Sequence, residues 1–303
     1  MTTDRPFLGV MLMLAFCVLA PIGDSIAKLL GGVVAVAVLV AFRFGVQAVL
    51  LLPLVVLGGQ GLRLPQGVLG WTLLRTVLHI SGISLMFLAL QYLPLADAIA
   101  IAFVMPFIML LLGHFIMGEE VGWHRLVACV VGFVGTLLVI QPNFVAVGAP
   151  ALLPLGVAVV FALFMMVTRR IARTMDPVKL QAVSGIQAIL MLGTALLLVP
   201  ALRGDTGFML EPGTWLLIAA MGVVGTLAHL FMTWSLRFAP ASTLAPMQYL
   251  EIPFSTIIGW LVFRELPNGL AAVGICITIA AGLYIIIREQ RLAKRPPIVP
   301  GAA

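Results

Sequence analysis

The stretch LPLADAIAIAFVMPFIMLLLGHFIMGEE at residues 93–120 has a counterpart in APASTLAPMQYLEIPFSTIIGWLVFREL at residues 239–266. Three pairs of markers are each 146 residues apart: Pro94 and Pro240, Gly113 and Gly259, and Glu119 and Glu265. The inner prolines, Pro106 and Pro253, are 147 residues apart. Many membrane transporters consist of two repeated apolar halves with the substrate site between them. The duplication therefore predicts a membrane carrier.

The composition predicts that the lipid bilayer surrounds this chain. Hydrophobic residues make up 62% of the 303 positions and charged residues only 9%, whereas soluble domains carry roughly 25% charged residues. Runs of about 20 apolar residues suit membrane helices and are about twice the length of a barrel strand. We therefore expect an all-α membrane protein. Ten spans are predicted: 7–27, 34–57, 68–90, 95–117, 124–142, 151–169, 179–200, 213–235, 241–263 and 268–287.

The net charge of +6 is explained by topology. If the N-terminus lies inside, twelve basic residues fall in the inner loops and tails. The outer loops hold three, namely Lys28, Arg203 and Arg264. This asymmetry follows the positive-inside rule and predicts that both termini are cytoplasmic. The membrane is expected to be a bacterial-type inner (plasma) membrane. A nucleic-acid partner is not expected.

The chain lacks the motifs of several other functional classes. No GxxxxGK[ST] phosphate loop occurs, so we do not expect the chain to drive transport with ATP by itself. An intramembrane enzyme is the main alternative class, but HExxH, GxSxG and a His/Cys ligand cluster are missing. The three cysteines, Cys17, Cys129 and Cys276, lie within predicted spans and form no metal-binding spacing. We expect no enzymatic activity, no metal and no cofactor.

The pattern Pro–(11 residues)–Pro–(6)–Gly–(5)–Glu that begins at Pro94 resembles the EamA-type family of the drug/metabolite transporter superfamily. The resemblance covers essentially the whole chain. It implies two inverted five-helix repeats, residues 1–143 and 144–290, around a cavity that opens alternately to each side. Residues 291–303 are expected to form a disordered cytoplasmic tail. Members of the family import or export small metabolites, so the resemblance implies a small-molecule substrate.

A second resemblance lies in the first two predicted helices. The runs FCVLAPIGDSIAKLLGG at residues 16–32 and AFRFGVQAVLLLP at residues 41–53 are similar to bacterial riboflavin importers of the same superfamily. This similarity implies riboflavin uptake. Efflux of amino acids or other small metabolites is the alternative. The sequence is compatible with a monomer and with a homodimer.

Glu251 is the first candidate for a substrate-binding or coupling residue. It is predicted about ten residues into the ninth helix, on one face with Gln248 and Ser255. The equivalent positions of the first repeat are apolar: Ala102, Met105 and Met109. A scaffold requirement would recur in both repeats. We therefore expect Glu251 to accept a hydrogen bond from substrate or to carry a proton; the alternative is a structural carboxyl paired with an arginine or a backbone group.

Asp24 and Arg43 are the second candidate pair. A charged residue inside a bilayer costs about 2.5–3.5 kcal/mol or more, so each requires an explanation. Both lie in the outer half of the membrane at depths that differ by roughly one helical turn. They are expected to form an outer gate, a substrate contact or a static salt bridge, with Lys28 as a competing partner for Asp24. Gln47, one turn from Arg43, extends the polar face.

Histidines and one tyrosine complete the candidate site. His79 in the third helix is expected to support proton traffic. His229 in the eighth helix is expected to do the same or to form an interhelical hydrogen bond. Tyr249 is the aromatic residue expected at cavity depth, where it could stack on a planar ring. Arg75 is expected to extend toward the cytoplasmic surface, and Glu265 is expected to pair with a loop group.

Overall fold

The computed structural model describes residues 6–59, 61–105, 107–108, 112, 123–172, 174–204, 210–238 and 248–293. Its described residues form helices and connecting turns without β-strands. The α-helices of the described residues are α1 (Pro6–Leu30), α2 (Val36–Leu57), α3 (Leu69–Ala89), α4 (Leu95–Ala102), α5 (Trp123–Val147), α6 (Leu153–Ala172), α7 (Pro177–Leu198), α8 (Pro212–Phe238), α9 (Glu251–Ile258) and α10 (Gly269–Ala293). Short 3₁₀ turns cover Ala149–Leu152 and Pro200–Arg203, and a π-helical turn covers Gly259–Phe263.

Seven stretches of the described chain are long and apolar enough to cross a membrane: Phe7–Leu30, Val36–Leu57, Leu69–Ala89, Leu126–Val147, Ala149–Ala172, Pro177–Leu198 and Pro212–Phe238. They correspond to the predicted spans one to three and five to eight. Two shorter apolar helices follow, Glu251–Phe263 and Gly269–Tyr284. The all-helical prediction is therefore confirmed, with seven spans of full length.

Some predictions fall on other parts of the chain. Much of the predicted fourth span and the first part of the ninth lie outside the described residues, as do Pro106, Gly113, Glu119 and Pro240. Helix α10 continues to Ala293, so it extends beyond residue 291, where the tail was expected to begin. Residues 294–303 lie outside the described part.

Helices from the two halves of the chain pack against each other in pairs. Pairs in contact include α1 with α8, α5 with α10, α2 with α7, α3 with α6, α2 with α8, and α4 with α9. Glycines allow the backbones to approach at these crossings. A Cβ atom added at Gly274 of α10 would lie 2.5 Å from the carbonyl oxygen of Gly135 in α5. A side chain at this crossing would therefore force the two helices apart.

The described part of the predicted ninth helix is interrupted by a turn. A turn at Tyr249 and Leu250 precedes Glu251, which lies in the first turn of α9. Pro253 explains the turn because it has no N–H to donate to the carbonyl of Tyr249, four residues earlier. The N–H of Ile252 bonds to that carbonyl instead, at 3.3 Å. Glu251, predicted about ten residues into the ninth helix, thus lies in the first turn of α9, and residues 241–247 of that predicted helix lie outside the described residues.

Helix α4 ends at an equivalent place in the first half. Its last residue, Ala102, is followed by a turn at Phe103 and Val104. Residue 106, four positions after Ala102, is also a proline. Because α4 packs on α9, the two turns meet, and the rings of Phe103 and Tyr249 lie 5.2 Å apart between centroids.

An ion pair joins the end of α1 to the segment that follows α9. The Nζ atom of Lys28 donates to Glu265 Oε2 at 2.6 Å and Oε1 at 2.8 Å, and to the carbonyl of Leu93 at 2.9 Å. Arg264, with a φ of 59°, has a left-handed backbone conformation that places Glu265 at this position. Lys28 was predicted to compete for Asp24; it pairs with Glu265 instead, because α9 brings that carboxylate closer.

Candidate functional site

A cavity of about 120 Å³ lies among α1, α2, α3, α4, α6, α8 and the start of α9. Most of its lining is apolar. Its charged and strongly polar lining residues are Asp24, Arg43, His79, His229, Gln248 and Glu251. These are six of the eight site residues predicted from the sequence, and the fold gathers them from five different segments around one space.

The two carboxylates of the cavity have no hydrogen bond to another described residue. Asp24 comes from α1, and Glu251 from the first turn of α9. They are close enough to interact electrostatically with each other, and Asp24 is attracted by Arg43. Two carboxyl groups that face one cavity and make no hydrogen bond to the described residues can accept hydrogen bonds from donors that enter it.

Arg43 does not form the salt bridge with Asp24 that the sequence suggested. Its Nη2 atom donates to the carbonyl of Gly225 in α8 at 3.1 Å. Gly225 makes this contact possible, since a Cβ atom there would lie 2.9 Å from Arg43 Nε. The guanidinium therefore ties α2 to α8 and still faces the cavity beside Asp24.

His79 and His229 form a pair in the cavity wall. Their ring centroids are 4.5 Å apart, with an angle of 49° between the planes. The ring of Phe44 lies edge-on to His79 at 5.0 Å, and that of Phe164 lies at 4.7 Å. Because α3 and α8 come from different halves of the chain, sequence spacing could not predict this pair.

Arg75 is buried, contrary to the prediction that it reaches the membrane surface. Its side chain is 0% exposed. Nε donates to Thr168 Oγ1 at 2.9 Å and Nη1 to Ser184 Oγ at 2.7 Å. Its guanidinium lies 4.7 Å from the centre of the Phe164 ring, the same ring that contacts His79. The hydroxyls on α6 and α7 hold Arg75 inside the protein.

Gln47 and Tyr249 lie outside the cavity lining. Gln47 is 0% exposed and donates to the carbonyl of Gln181 at 2.7 Å, which fastens α2 to α7. The ring of Tyr249 packs on Phe103 and beside Gly282 of α10. In this structure both residues support the helices around the cavity.

Phenylalanines that the sequence did not single out form the aromatic walls. Phe16, Phe87, Phe103 and Phe161 all line the cavity. A phenylalanine carries no polar group that marks it among the chain's 17. A signal did exist in α1, where Phe16 shares the helical stripe that leads to Asp24, at a spacing of eight residues.

Comparison with known proteins is consistent with a membrane carrier. The sequence pattern of the EamA-like transporter family matches residues 7–141 and 149–288. A riboflavin transporter of Brucella anthropi is 28% identical over 265 residues, which cover 85% of this chain and 90% of that protein. An S-adenosylmethionine uptake transporter of Rickettsia prowazekii is 26% identical over 286 residues, which cover 93% and 94%.

An exporter is also similar to this chain. The pseudopaline exporter CntI of Pseudomonas aeruginosa is 25% identical over 287 residues, which cover 94% of this chain and 96% of that protein. The similarity to an uptake transporter, to an exporter and to a riboflavin transporter covers 85% or more of this chain in each case. With apolar helices of spanning length and a family match over nearly its whole length, the protein is a multi-pass membrane protein that belongs to the EamA-like transporter family.

Proposed function

We propose that this protein imports riboflavin across a bacterial-type inner membrane by alternating access. The observation that carries the proposal is the cavity, in which four phenylalanine rings accompany a small set of charged groups. The isoalloxazine ring of riboflavin is flat, aromatic and apolar at one end, and its ribityl chain carries hydroxyl groups. Phenylalanine rings stack on flat rings, and unpaired carboxylates bind hydroxyl donors.

The helix pairs support an arrangement of ten spanning helices in two inverted repeats. If α1–α5 correspond to α6–α10, the contact of α1 with α8 has its counterpart in the contact of α6 with α3. The pairs α2 with α7, α4 with α9, and α5 with α10 each join corresponding helices. This reciprocity is expected for inverted repeats around a central site. With an even number of spans, both termini lie on one side, which we propose is the cytoplasm.

Glu251 is proposed to change partners during transport. It follows a break in helical hydrogen bonding and has no hydrogen bond to another described residue. Helix breaks near the middle of the membrane are typical of substrate and coupling sites in secondary transporters. Movement of α4 and α9 at their turns would move Glu251 relative to the substrate. No bond of the substrate is made or broken, so we expect no enzymatic activity.

Efflux of an amino acid or a related small metabolite is the second candidate. The similarity to an exporter supports efflux, and the similarity to an S-adenosylmethionine uptake transporter supports a substrate of the amino-acid type. The separated charges also support it, because Asp24 and Glu251 could bind a cationic group while Arg43 binds an anionic one. This reading gives the phenylalanine walls no particular role, and for that reason we rank it second.

Uptake of labelled riboflavin by riboflavin-requiring bacteria that produce this protein tests the proposal. Saturable uptake above an empty-vector strain, at limiting vitamin concentration, is the expected result. Repeating the assay at several external pH values tests coupling to protons. If the protein is present in the membrane and uptake does not rise, riboflavin import is refuted. Export of labelled amino acids from preloaded cells then tests the second candidate.

A further inference from the structure

Four buried nitrogen atoms in one region of the cavity wall have no hydrogen-bond partner among the described residues. They are Arg43 Nη1, His79 Nδ1 and Nε2, and His229 Nδ1. An unpaired buried polar atom destabilises a protein, and more than about 90% of such atoms in proteins are paired. Four in one place indicate that a partner binds there at another stage of the cycle. We refer to Arg43, His79 and His229 as the donor wall.

A hydrogen bond and ring packing hold the side chains of the donor wall in position. Arg43 is held by its bond to Gly225, and His79 is packed between Phe44 and Phe164. The edge of Phe16 contacts His229, with centroids 5.9 Å apart. Behind Phe164, the second buried guanidinium, Arg75, adds positive charge that makes the region more attractive to acceptor atoms. Arg43 Nη1 donates and a neutral imidazole has one N–H, so a molecule that binds here presents at least one oxygen acceptor to this wall.

The carboxylates of the cavity are supplied by different elements. Asp24 lies on α1 and Glu251 on α9, while the donor wall lies on α2, α3 and α8. Beside Glu251, Gln248 makes only a long contact of 3.9 Å to the sulfur of Met13. We refer to Asp24, Gln248 and Glu251 as the acceptor wall. A ligand that satisfies both walls carries carbonyl oxygens as acceptors and hydroxyl groups as donors.

We propose that the donor wall binds the carbonyl-bearing edge of the flavin ring and that the acceptor wall binds the ribityl hydroxyls. This orientation rests on the proposed riboflavin function and goes beyond it by assigning each end of the substrate to named residues. The two ring carbonyls accept from the guanidinium and imidazole N–H groups, while the hydroxyls donate to the carboxylates. The benzenoid part of the ring is left to the phenylalanines.

The orientation is tested by titrating the purified full-length protein with riboflavin and with lumichrome, which has the ring but no ribityl chain. Flavin fluorescence reports binding. Arg43→Gln and His229→Gln are each expected to raise the Kd of both ligands by about tenfold. Glu251→Gln and Asp24→Asn are each expected to raise the Kd of riboflavin by about tenfold and to change the Kd of lumichrome by less than about twofold.

Matched controls come from exposed residues outside the cavity. His124→Gln controls for the histidine change, since His124 bonds to Tyr284 at the exposed surface. Glu211→Gln, at an exposed position before α8, controls for the glutamate change. Thermal unfolding of each variant shows whether it is folded. His229→Gln serves if Arg43→Gln fails to fold, because His229 Nδ1 has no hydrogen-bond partner among the described residues.

The outcomes separate the orientation from the function. Equal losses for both ligands in all four variants, or losses of lumichrome binding confined to the acceptor wall, overturn the orientation alone. Absence of binding of either flavin to the folded wild-type protein overturns the orientation and riboflavin transport together. If the variants show the expected difference between riboflavin and lumichrome binding but the protein gives no cellular uptake, the orientation is supported and import is refuted.

Discussion

Lys28 and Glu265 lie 2.6 Å apart, between Nζ and Oε2, although 237 residues separate them in the chain. The same ammonium donates to the carbonyl of Leu93 in the connection between α3 and α4. One side chain thus holds three segments together at one end of the bundle. We expect this contact to stabilise the conformation that is closed at this end, because opening would separate α1 from α9.

Charge reversal at this contact should reveal the coupling. Lys28→Glu and Glu265→Lys should each lower the thermal stability of the purified protein and reduce uptake, because like charges then meet. The double variant should recover part of the thermal stability and part of the uptake. We expect a coupling energy between the two residues of about 1 kcal/mol or more in stability. Arg237 and Asp176, at 3.3 Å and more exposed to solvent, provide a control pair, for which coupling below about 1 kcal/mol is expected. If Lys28→Glu and Glu265→Lys have strictly additive effects on stability and uptake, the contact between the two residues does not stabilise this end of the bundle.

Glu251→Gln should abolish or uncouple transport while the protein remains folded in the membrane. The amide keeps the size of the side chain and removes the charge and the exchangeable proton. Uptake measured against external pH in cells with equal amounts of protein checks this expectation. Glu211→Gln should behave like the wild-type protein. Wild-type flux with wild-type pH dependence in Glu251→Gln would refute the assigned role.

Removal of a cavity phenylalanine should weaken flavin binding. Phe161→Ala and Phe103→Ala are each expected to raise Kd by about threefold to tenfold, since an aromatic pair contributes about 0.5–1.5 kcal/mol. Phe133→Ala, a half-exposed residue of α5, should leave Kd unchanged. Fluorescence titration with riboflavin measures the effect. Unchanged binding in both cavity variants would remove the aromatic argument for a flat substrate.

The crossing of α5 and α10 should not tolerate a methyl group. Gly274→Ala places Cβ against the carbonyl of Gly135 and the side chain of Val139, so we expect a loss of about 1–3 kcal/mol in stability. Gly45→Ala in α2, where no atom lies within 4 Å of the added Cβ, should be neutral or slightly stabilising. Thermal unfolding of both variants in detergent distinguishes a close crossing from a loose one.

The sequence predicted best those features that depend on residues close together in the chain. Apolar runs predicted the seven full-length spans because lipid demands that backbone groups bond within each helix. Charged residues such as Glu251 and Arg43 could be selected as candidates because they stand out against those runs. Their presence around one cavity still required the fold, since nothing in the spacing showed which helix faces meet.

Contacts between distant segments could not be predicted. Lys28 had a nearby candidate in Asp24, and only the packing of α9 shows that Glu265 is its partner. Arg75 was expected at the surface because two hydroxyls on other helices, Thr168 and Ser184, were not known to converge on it. The cavity phenylalanines were missed because their chemistry is that of the lipid-facing residues.

The turns at Phe103 and Tyr249 lie side by side where α4 and α9 meet. Because the loss of a backbone bond at Tyr249 is due to the proline at position 253, it persists whether the cavity is filled or empty. A continuous helix has to move as a single rod or break bonds that lipid cannot replace. A helix that is already interrupted can tilt its two segments separately without breaking further backbone hydrogen bonds.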